Sequence, residues 1–202
     1  MIICMSDILC VTNRKLCEED FLARICKIAS AHPAGIVLRE KDLSENEYKK
    51  LAAAVLAICQ KHGTPCILHN FADIAAELNC NALHLPLPVL RGLSDKKKAR
   101  FTVLGASCHS VEDAVEAQRL GCTYITAGHI FDTDCKRGLP GRGLGFLEMV
   151  CRSVSIPVYA IGGIRAADTL KIRQAGAAGA CVMSGAMVCD NVQKYISGFK
   201  ET

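Results

Sequence analysis

Eight short apolar runs recur along this chain, at residues 8–12, 35–38, 65–68, 82–85, 101–105, 124–127, 157–161 and 179–183. Each is largely apolar rather than regularly alternating with polar residues. Strands buried on both faces of a parallel sheet read this way, because neither face meets water. Most of the intervening stretches carry helical periodicity. One covers 18–31 and stops at His32-Pro33. Another is capped by Ser44, with Glu47 completing a capping box, and is stopped near Lys61 by Gly63. Further helical segments cover 71–78, the stretch from Ser110 to Gly121, 144–153, 166–175 and 190–199, and Pro86 and Pro88 break the chain after the fourth run. Eight such units in 202 residues predict a compact single-domain (β/α)8 TIM barrel spanning 1–202. A flavodoxin-like or Rossmann sheet needs fewer strands, and no G-x-G-x-x-G follows the first run. Residues 2–5 read as an N-terminal extension.

Composition narrows the functional classes. Residues 1–7 have no basic region and no small-residue cleavage site, so they are not a secretory signal, and no run approaches the roughly 18 apolar residues of a membrane span. A cytoplasmic protein with no membrane partner is expected. The 13 cysteines are odd in number, have no C-x-x-C spacing and lie largely in apolar runs, as Cys26, Cys59, Cys151 and Cys181 do. They read as small buried hydrophobes in a reducing compartment. The net charge of +4 is spread along the chain. Its one dense run, Lys96-Lys97-Lys98, adjoins Asp95 and interleaves no aromatic residues, so it reads as a solvated helix end and no nucleic-acid partner is expected. A homo-oligomer is compatible with the sequence.

In a barrel the site lies where the strands end. The tips read Arg39 and Lys41, His69 and Asn70, His84, Ser107, His129, Gly162-Gly163, and Met183-Ser184-Gly185. The last two follow the seventh and eighth runs, where barrels commonly bind phosphate on backbone N–H groups. Ordinary tight turns also use glycine, but two such turns at the two expected places favour a phosphorylated substrate. His129 stands at the root of an unusually long connection, residues 128–143, rich in glycine and basic residues. Its ordinary pKa near ~6.5 suits proton transfer. Lys136, Arg137 and Arg142 in that loop are candidates for an anion. Arg39 and Lys41, two apart, either grip an anion together or form surface pairs involving Glu40. Asn70 and Ser107 are candidate pocket residues, His84 a satisfied barrel-interior histidine, and His109 a structural one. No metal cluster is evident, although Asp132 and Asp134 fit one if the loop folds suitably.

Over most of the chain, and most densely from about Gly105 to Gly185, the sequence resembles the thiamine phosphate synthase/TenI superfamily of (β/α)8 barrels. Within it, Gly128-His129-Ile130-Phe131, Thr133-Asp134-Cys135-Lys136, Gly138-Leu139 and Gly141-Arg142-Gly143 are similar to the TenI branch, the thiazole tautomerases. In the synthases, Asn-Asp follows the third strand and another Asp lies beyond the fourth, and these carboxylates hold magnesium. The matching positions here are His69-Asn70 and Val89, which supply neither carboxylate. Arg39, Lys41 and Lys136 resemble the synthase pyrophosphate grip. The resemblance thus implies an isomerase without cofactor or metal. It would act on a small phosphorylated thiazole and aromatise the ring, with His129 moving both protons and Gly162, Gly163, Met183, Ser184 and Gly185 binding the phosphate. Arg39, Lys41 and Lys136 are then candidates for the substrate carboxylate. The alternatives are a divergent thiamine phosphate synthase joining a pyrimidine pyrophosphate to a thiazole phosphate, and a regulatory or ligand-binding protein without turnover.

Overall fold

A computed structural model of the chain describes residues 8–136 and 138–200. The expected extension at 2–5 lies outside them. Eight parallel strands close into a barrel in sequence order. They are β1 (Ile8–Val11), β2 (Gly35–Leu38), β3 (Cys66–His69), β4 (Ala82–Pro86), β5 (Val103–Cys108), β6 (Tyr124–Gly128), β7 (Val158–Ile161) and β8 (Gly179–Val182), with β8 pairing back to β1. The continuous apolar runs are explained by two cores. Leu9, Val37, Ile67, Val103, Tyr124 and Tyr159 fill the barrel interior, while Ile8, Ile36, Leu68 and Leu104 face outward into the helical layer. Alternate residues of one strand therefore bury in different cores.

The helices form where caps and periodicity place them. In α1 (Phe21–Ser30) the Asp20 side chain accepts from the Ala23 amide. In α2 (Glu45–His62) Ser44 and Glu47 form the expected box, and Tyr48, Ala52, Val55 and Cys59 make the buried stripe. Then come α3 (Ala72–Glu77), α4 (Leu87–Arg91), α5 (Asp95–Lys98), α6 (Val111–Arg119), α7 (Gly143–Ser153), α8 (Thr169–Gln174), α9 (Ser184–Val188) and α10 (Val192–Ser197). The basic run falls in α5, where Lys97 pairs with Asp73 and Lys98 with Asp95 at the surface.

Three details differ from the sequence reading. Pro86 and Pro88 begin α4 rather than merely break the chain, because the first turn of a helix has no use for the N–H that proline lacks. The fifth strand extends to Cys108, which puts Ser107 inside the sheet. A short helix, α9, follows β8 directly. Cys10, Cys108 and Cys122 are buried and their thiols are pushed up to about 12 by desolvation, so they remain protonated fillers of the core. Among the described residues no helix is long and apolar enough to cross a membrane.

Candidate functional site

A cavity of about 1300 Å³ opens at the C-terminal ends of the strands. It is lined by Arg39, Lys41, Ser107, His129, Lys136, Gly162, Gly163, Met183, Ser184 and Gly185, so residues scattered through the sequence share one space. Asn70 instead lines a side pocket of about 210 Å³, together with His69 and Lys41. Asn70 takes a left-handed backbone at φ 72°, which asparagine tolerates better than most residues.

The end of β2 is fixed by groups that turn away from the cavity. Glu40 is buried, accepting from the Thr12 hydroxyl at 2.6 Å and from the Arg14 amide at 3.1 Å. The surface pair with Arg39 or Lys41 is therefore not formed, and both of these cations face the cavity. Below them the buried Tyr48 hydroxyl donates to the Leu38 carbonyl and accepts from the His69 amide, both at 2.8 Å, stitching β2 to β3. Lys41 is held below the ordinary lysine value, first by desolvation and then by the charges of Arg39 and Lys136. Lys136 belongs to the loop after β6, which stands opposite β2 on the eight-strand ring. The loop thus reaches across the mouth far enough for its cation to act on Lys41. Among the described residues no carboxylate forms an ion pair with Arg39, Lys41 or Lys136, although Asp113, Asp132 and Asp134 line the same cavity. Arg137 lies outside the described residues. Arg142 stacks its guanidinium 5.2 Å over the Phe146 ring and does not line the cavity.

The loop is pinned at both ends. The Arg142 amide donates to the His129 carbonyl and the Gly143 amide to that of Ile130, while the Ile130 and Phe131 amides donate to the carbonyls of Ile161 and Gly162. Gly162 and Gly163 have positive φ, 101° and 66°. A Cβ on Gly162 would lie 2.3 Å from the His129 Cβ, and one on Gly163 would lie 2.4 Å from the Asp132 carbonyl oxygen. These glycines are required by the seating of the loop root on β7, in addition to any ligand. Among the described residues the amides of Gly163, Ser184 and Gly185 have no protein acceptor, which leaves them for an anion in the cavity. His129 places Nε2 at 3.2 Å from the Leu139 carbonyl of its own loop.

Between these cations, the histidines that β3 and β4 turn toward the cavity are neutral, while Arg91 and Asp113 line it from α4 and α6. His69 and His84 are buried, and desolvation lowers them to about 3 and about 4, so both are uncharged at neutral pH. His84 is a satisfied interior histidine, as expected, bonding Tyr124 and Ser107. His109 bonds the Gly128 carbonyl at 3.0 Å and also lines the cavity, as do Arg165 and Tyr195. The sequence reading misses these last two. No strand tip marks them, and Tyr195 arrives from α10, the last helix.

Magnesium of the kind implied by the synthase resemblance does not fit here. Asn70 offers an amide, Val89 is 40% exposed and does not line the cavity, and Glu40 is engaged with Thr12 and Arg14. A hard divalent cation is held chiefly by carboxylate oxygens, and these positions offer it at most the Asn70 amide oxygen. Asp132 accepts from the Gly141 amide, and among the described residues no group of three or more His, Cys, Asp or Glu is placed to hold a metal.

Comparison with known proteins gives the lineage. The pattern defining the family described as thiamine monophosphate synthase matches residues 8–186. A thiamine-phosphate synthase of Syntrophomonas wolfei subsp. wolfei is 31% identical over 190 residues, covering 91% of this chain and 89% of its own length. One from Clostridium acetobutylicum is 32% identical over 191 residues, covering 91% and 88%. The thiamine phosphate pyrophosphorylase of Pyrococcus furiosus superposes with a TM-score of 0.83 at 23% identity, covering 100% of this chain and 96% of its own, which speaks for the fold. The expected isomerase, a thiazole tautomerase turning on His129, is overturned by these relatives, which carry the name of a synthase, a transferase. The geometry gives the tautomerase reading no independent support, since the Nε2 of His129 is engaged with the loop backbone.

Proposed function

The chain belongs to the thiamine monophosphate synthase family, and from that membership we propose that it is a transferase joining a pyrimidine pyrophosphate to a thiazole phosphate. The observation that carries this reading is a pair of anion-receptive poles in one cavity. One pole is the Arg39–Lys41–Lys136 cluster, and the other is the amides after β7 and β8. A reaction between two phosphorylated partners needs two such poles.

In this reading the three cations hold the pyrophosphate. The thiazole nitrogen attacks the carbon bearing it, the C–N bond forms, the C–O bond breaks, and the pyrophosphate leaves with the electron pair. Positive charge placed in advance where the leaving group gathers charge lowers that barrier. Gly162, Gly163, Met183, Ser184 and Gly185 hold the thiazole phosphate, and the loop of residues 129–142 excludes water from an electron-poor carbon. The bond-forming step moves no proton between carbons, so His129 acts by holding the loop at Leu139. No step is routed through magnesium, because its carboxylates are not present.

The test mixes purified protein with both substrates and follows thiamine phosphate and released pyrophosphate, with and without magnesium. Product that requires both substrates and falls in Lys41→Met supports the reading. His129→Ala is expected to retain turnover with KM raised about fivefold, the worth of one hydrogen bond. No product under either condition overturns it.

A further inference from the structure

Outside the cavity, two packed helices bring a thiol and an imidazole together. Cys26 sits on α1, and His62 is the last residue of α2. The Nε2 of His62 is 3.3 Å from the Cys26 Sγ. Each helix runs back along the barrel after its strand, so the C-terminal ends of α1 and α2 return to the end away from the cavity.

The pair is held by the framework around it. Gly63 closes α2 with φ 65°, its amide donating to the Gln60 carbonyl. The next residue, Thr64, is buried, and its hydroxyl donates to the Ala29 carbonyl of α1 at 2.7 Å. Ala29 follows Cys26 by less than one helical turn, and Thr64 follows His62 almost directly. That buried bond therefore clamps the end of α2 onto α1 right beside the thiol and the imidazole.

The sequence reading counts Cys26 among buried hydrophobes, but the structure leaves it half-buried, as it leaves His62. The other half-buried cysteines among the described residues are placed differently. Cys17 Sγ donates to the Glu19 carbonyl at 3.3 Å, and Cys80 Sγ donates to the Ala82 carbonyl at 3.3 Å. A backbone carbonyl does not take up a thiol proton. Burial pushes the Cys151 thiol up to about 11. Burial also raises Cys189, outweighing the Arg24 guanidinium 3.8 Å from its sulfur. Within this half-buried set, Cys26 is the cysteine whose sulfur meets an imidazole. An imidazole takes and returns protons at neutral pH, and the thiolate is the nucleophilic form of cysteine.

We propose that Cys26 is a modification site, with His62 as the base for its exchange with low-molecular-weight disulfides. His62 Nε2 takes the thiol proton, and the thiolate attacks one sulfur of the incoming disulfide. The new S–S bond forms as the old one breaks, and the electron pair leaves on the outer sulfur. The imidazolium then gives the proton to that leaving thiolate. One thiol is consumed and one is released, so the incoming disulfide is the whole oxidant. The product is a mixed disulfide in the helical layer. Neither residue lines the cavity, so the proposal stands apart from the transferase reading.

The test exposes the native protein at neutral pH to limiting hydroxyethyl disulfide, a small uncharged probe, and follows adducts by peptide mass spectrometry. Cys26 is expected to react at least about tenfold faster than Cys17 and Cys151, because its proton has a base to receive it. His62→Gln keeps a polar side chain without the base. It is expected to slow Cys26 about tenfold while Cys17 and Cys151 stay within about twofold of native. Thermal melting checks folding, and His62→Ala serves if His62→Gln is unstable. Reaction at Cys26 no faster than at Cys17 and Cys151 overturns the proposal. So does a folded His62 variant in which Cys26 keeps its native rate, which reduces the contact to packing. A variant that changes all three rates alike overturns it too, since a base at one thiol acts on that thiol only.

Discussion

The two walls of the cavity use opposite electrostatic strategies. At the end of β2 and in the loop after β6, Arg39, Lys41 and Lys136 stand as like charges around one cavity, and among the described residues none of them is ion-paired to a carboxylate. From β3 to β6, His69, His84, Ser107 and Tyr124 are uncharged at neutral pH, largely buried and bonded to one another or to the backbone. The first wall is destabilising to the empty protein, because like charges repel and Lys41 is partly desolvated. That cost is offset only when an anion arrives. The second wall is hydrogen-bonded within itself without a ligand. Charge of the first kind supplies affinity for any polyanion, whereas a neutral, self-bonded wall adds shape rather than charge.

The sharpest way to break this contrast is to remove the charge. Lys41→Met combined with Lys136→Met is expected to weaken pyrophosphate binding by about a thousandfold, since each charged hydrogen bond is worth about 2 kcal/mol. The same variant should bind the thiazole phosphate within about threefold of native, because that anion meets the amides at β7 and β8. Titration calorimetry with each ligand separately reads both numbers. Equal losses for the two would mean that the cavity has one anion pole rather than two.

The neutral wall is broken by filling its gap. Gly105→Ala puts a methyl group onto Tyr124 and His84. It is expected to cost about 3 kcal/mol of stability, at the upper end of overpacking, and to lower the melting temperature without weakening pyrophosphate binding at temperatures where the protein is folded. A variant as stable as native would show that the two side chains have room to part.

These two cases mark what a sequence conveys. The barrel was legible because runs such as 35–38 and 124–127 are apolar on both faces, and that property belongs to each strand alone. The tips were legible for the same reason, since Arg39, Lys41, Gly162 and Ser184 follow such runs directly. The Tyr124–His84 bond joins residues on strands that are not neighbours, through a space left by a third residue, and no local pattern encodes it. Gly162 and Gly163 were read as room for phosphate, yet the loop root already requires them. The prolines at 86 and 88 misled because they mark the start of a helix as readily as the end of a strand.

Proton linkage separates the walls more finely. Desolvation, Arg39 and Lys136 hold Lys41 below its ordinary 10.5. In the empty protein the unfolded chain binds that proton more readily, so stability rises as pH passes from the lowered folded value to the ordinary one. Anion affinity runs the other way. A bound pyrophosphate favours charged Lys41, so affinity is full below the lowered value and declines as pH rises through it. Above about pH 8, where the phosphate groups are already ionised, pyrophosphate binding should fall with pH while the melting temperature of the empty protein does not. Lys41→Arg should flatten the binding curve over that range, because arginine stays charged. A native curve that is already flat would place Lys41 outside the anion site.

The smallest effect is expected where family resemblance would look first. Val89 stands where a synthase carries a magnesium carboxylate, but here it is 40% exposed on α4 and does not line the cavity. Val89→Asp should change stability by less than about 0.5 kcal/mol, as exposed substitutions do. It should not raise the affinity for magnesium, read by calorimetry with the metal alone, since one carboxylate beside Asn70 is too few hard oxygens for that ion. Adding Asn70→Asp supplies the second carboxylate, on a residue that lines the side pocket with Lys41. If the double variant binds magnesium, the metal site differs from that of the synthases by side chains alone. If it does not, the backbone at the β3 and β4 ends has moved away from metal geometry, and the cation wall is the whole means by which this cavity holds a pyrophosphate.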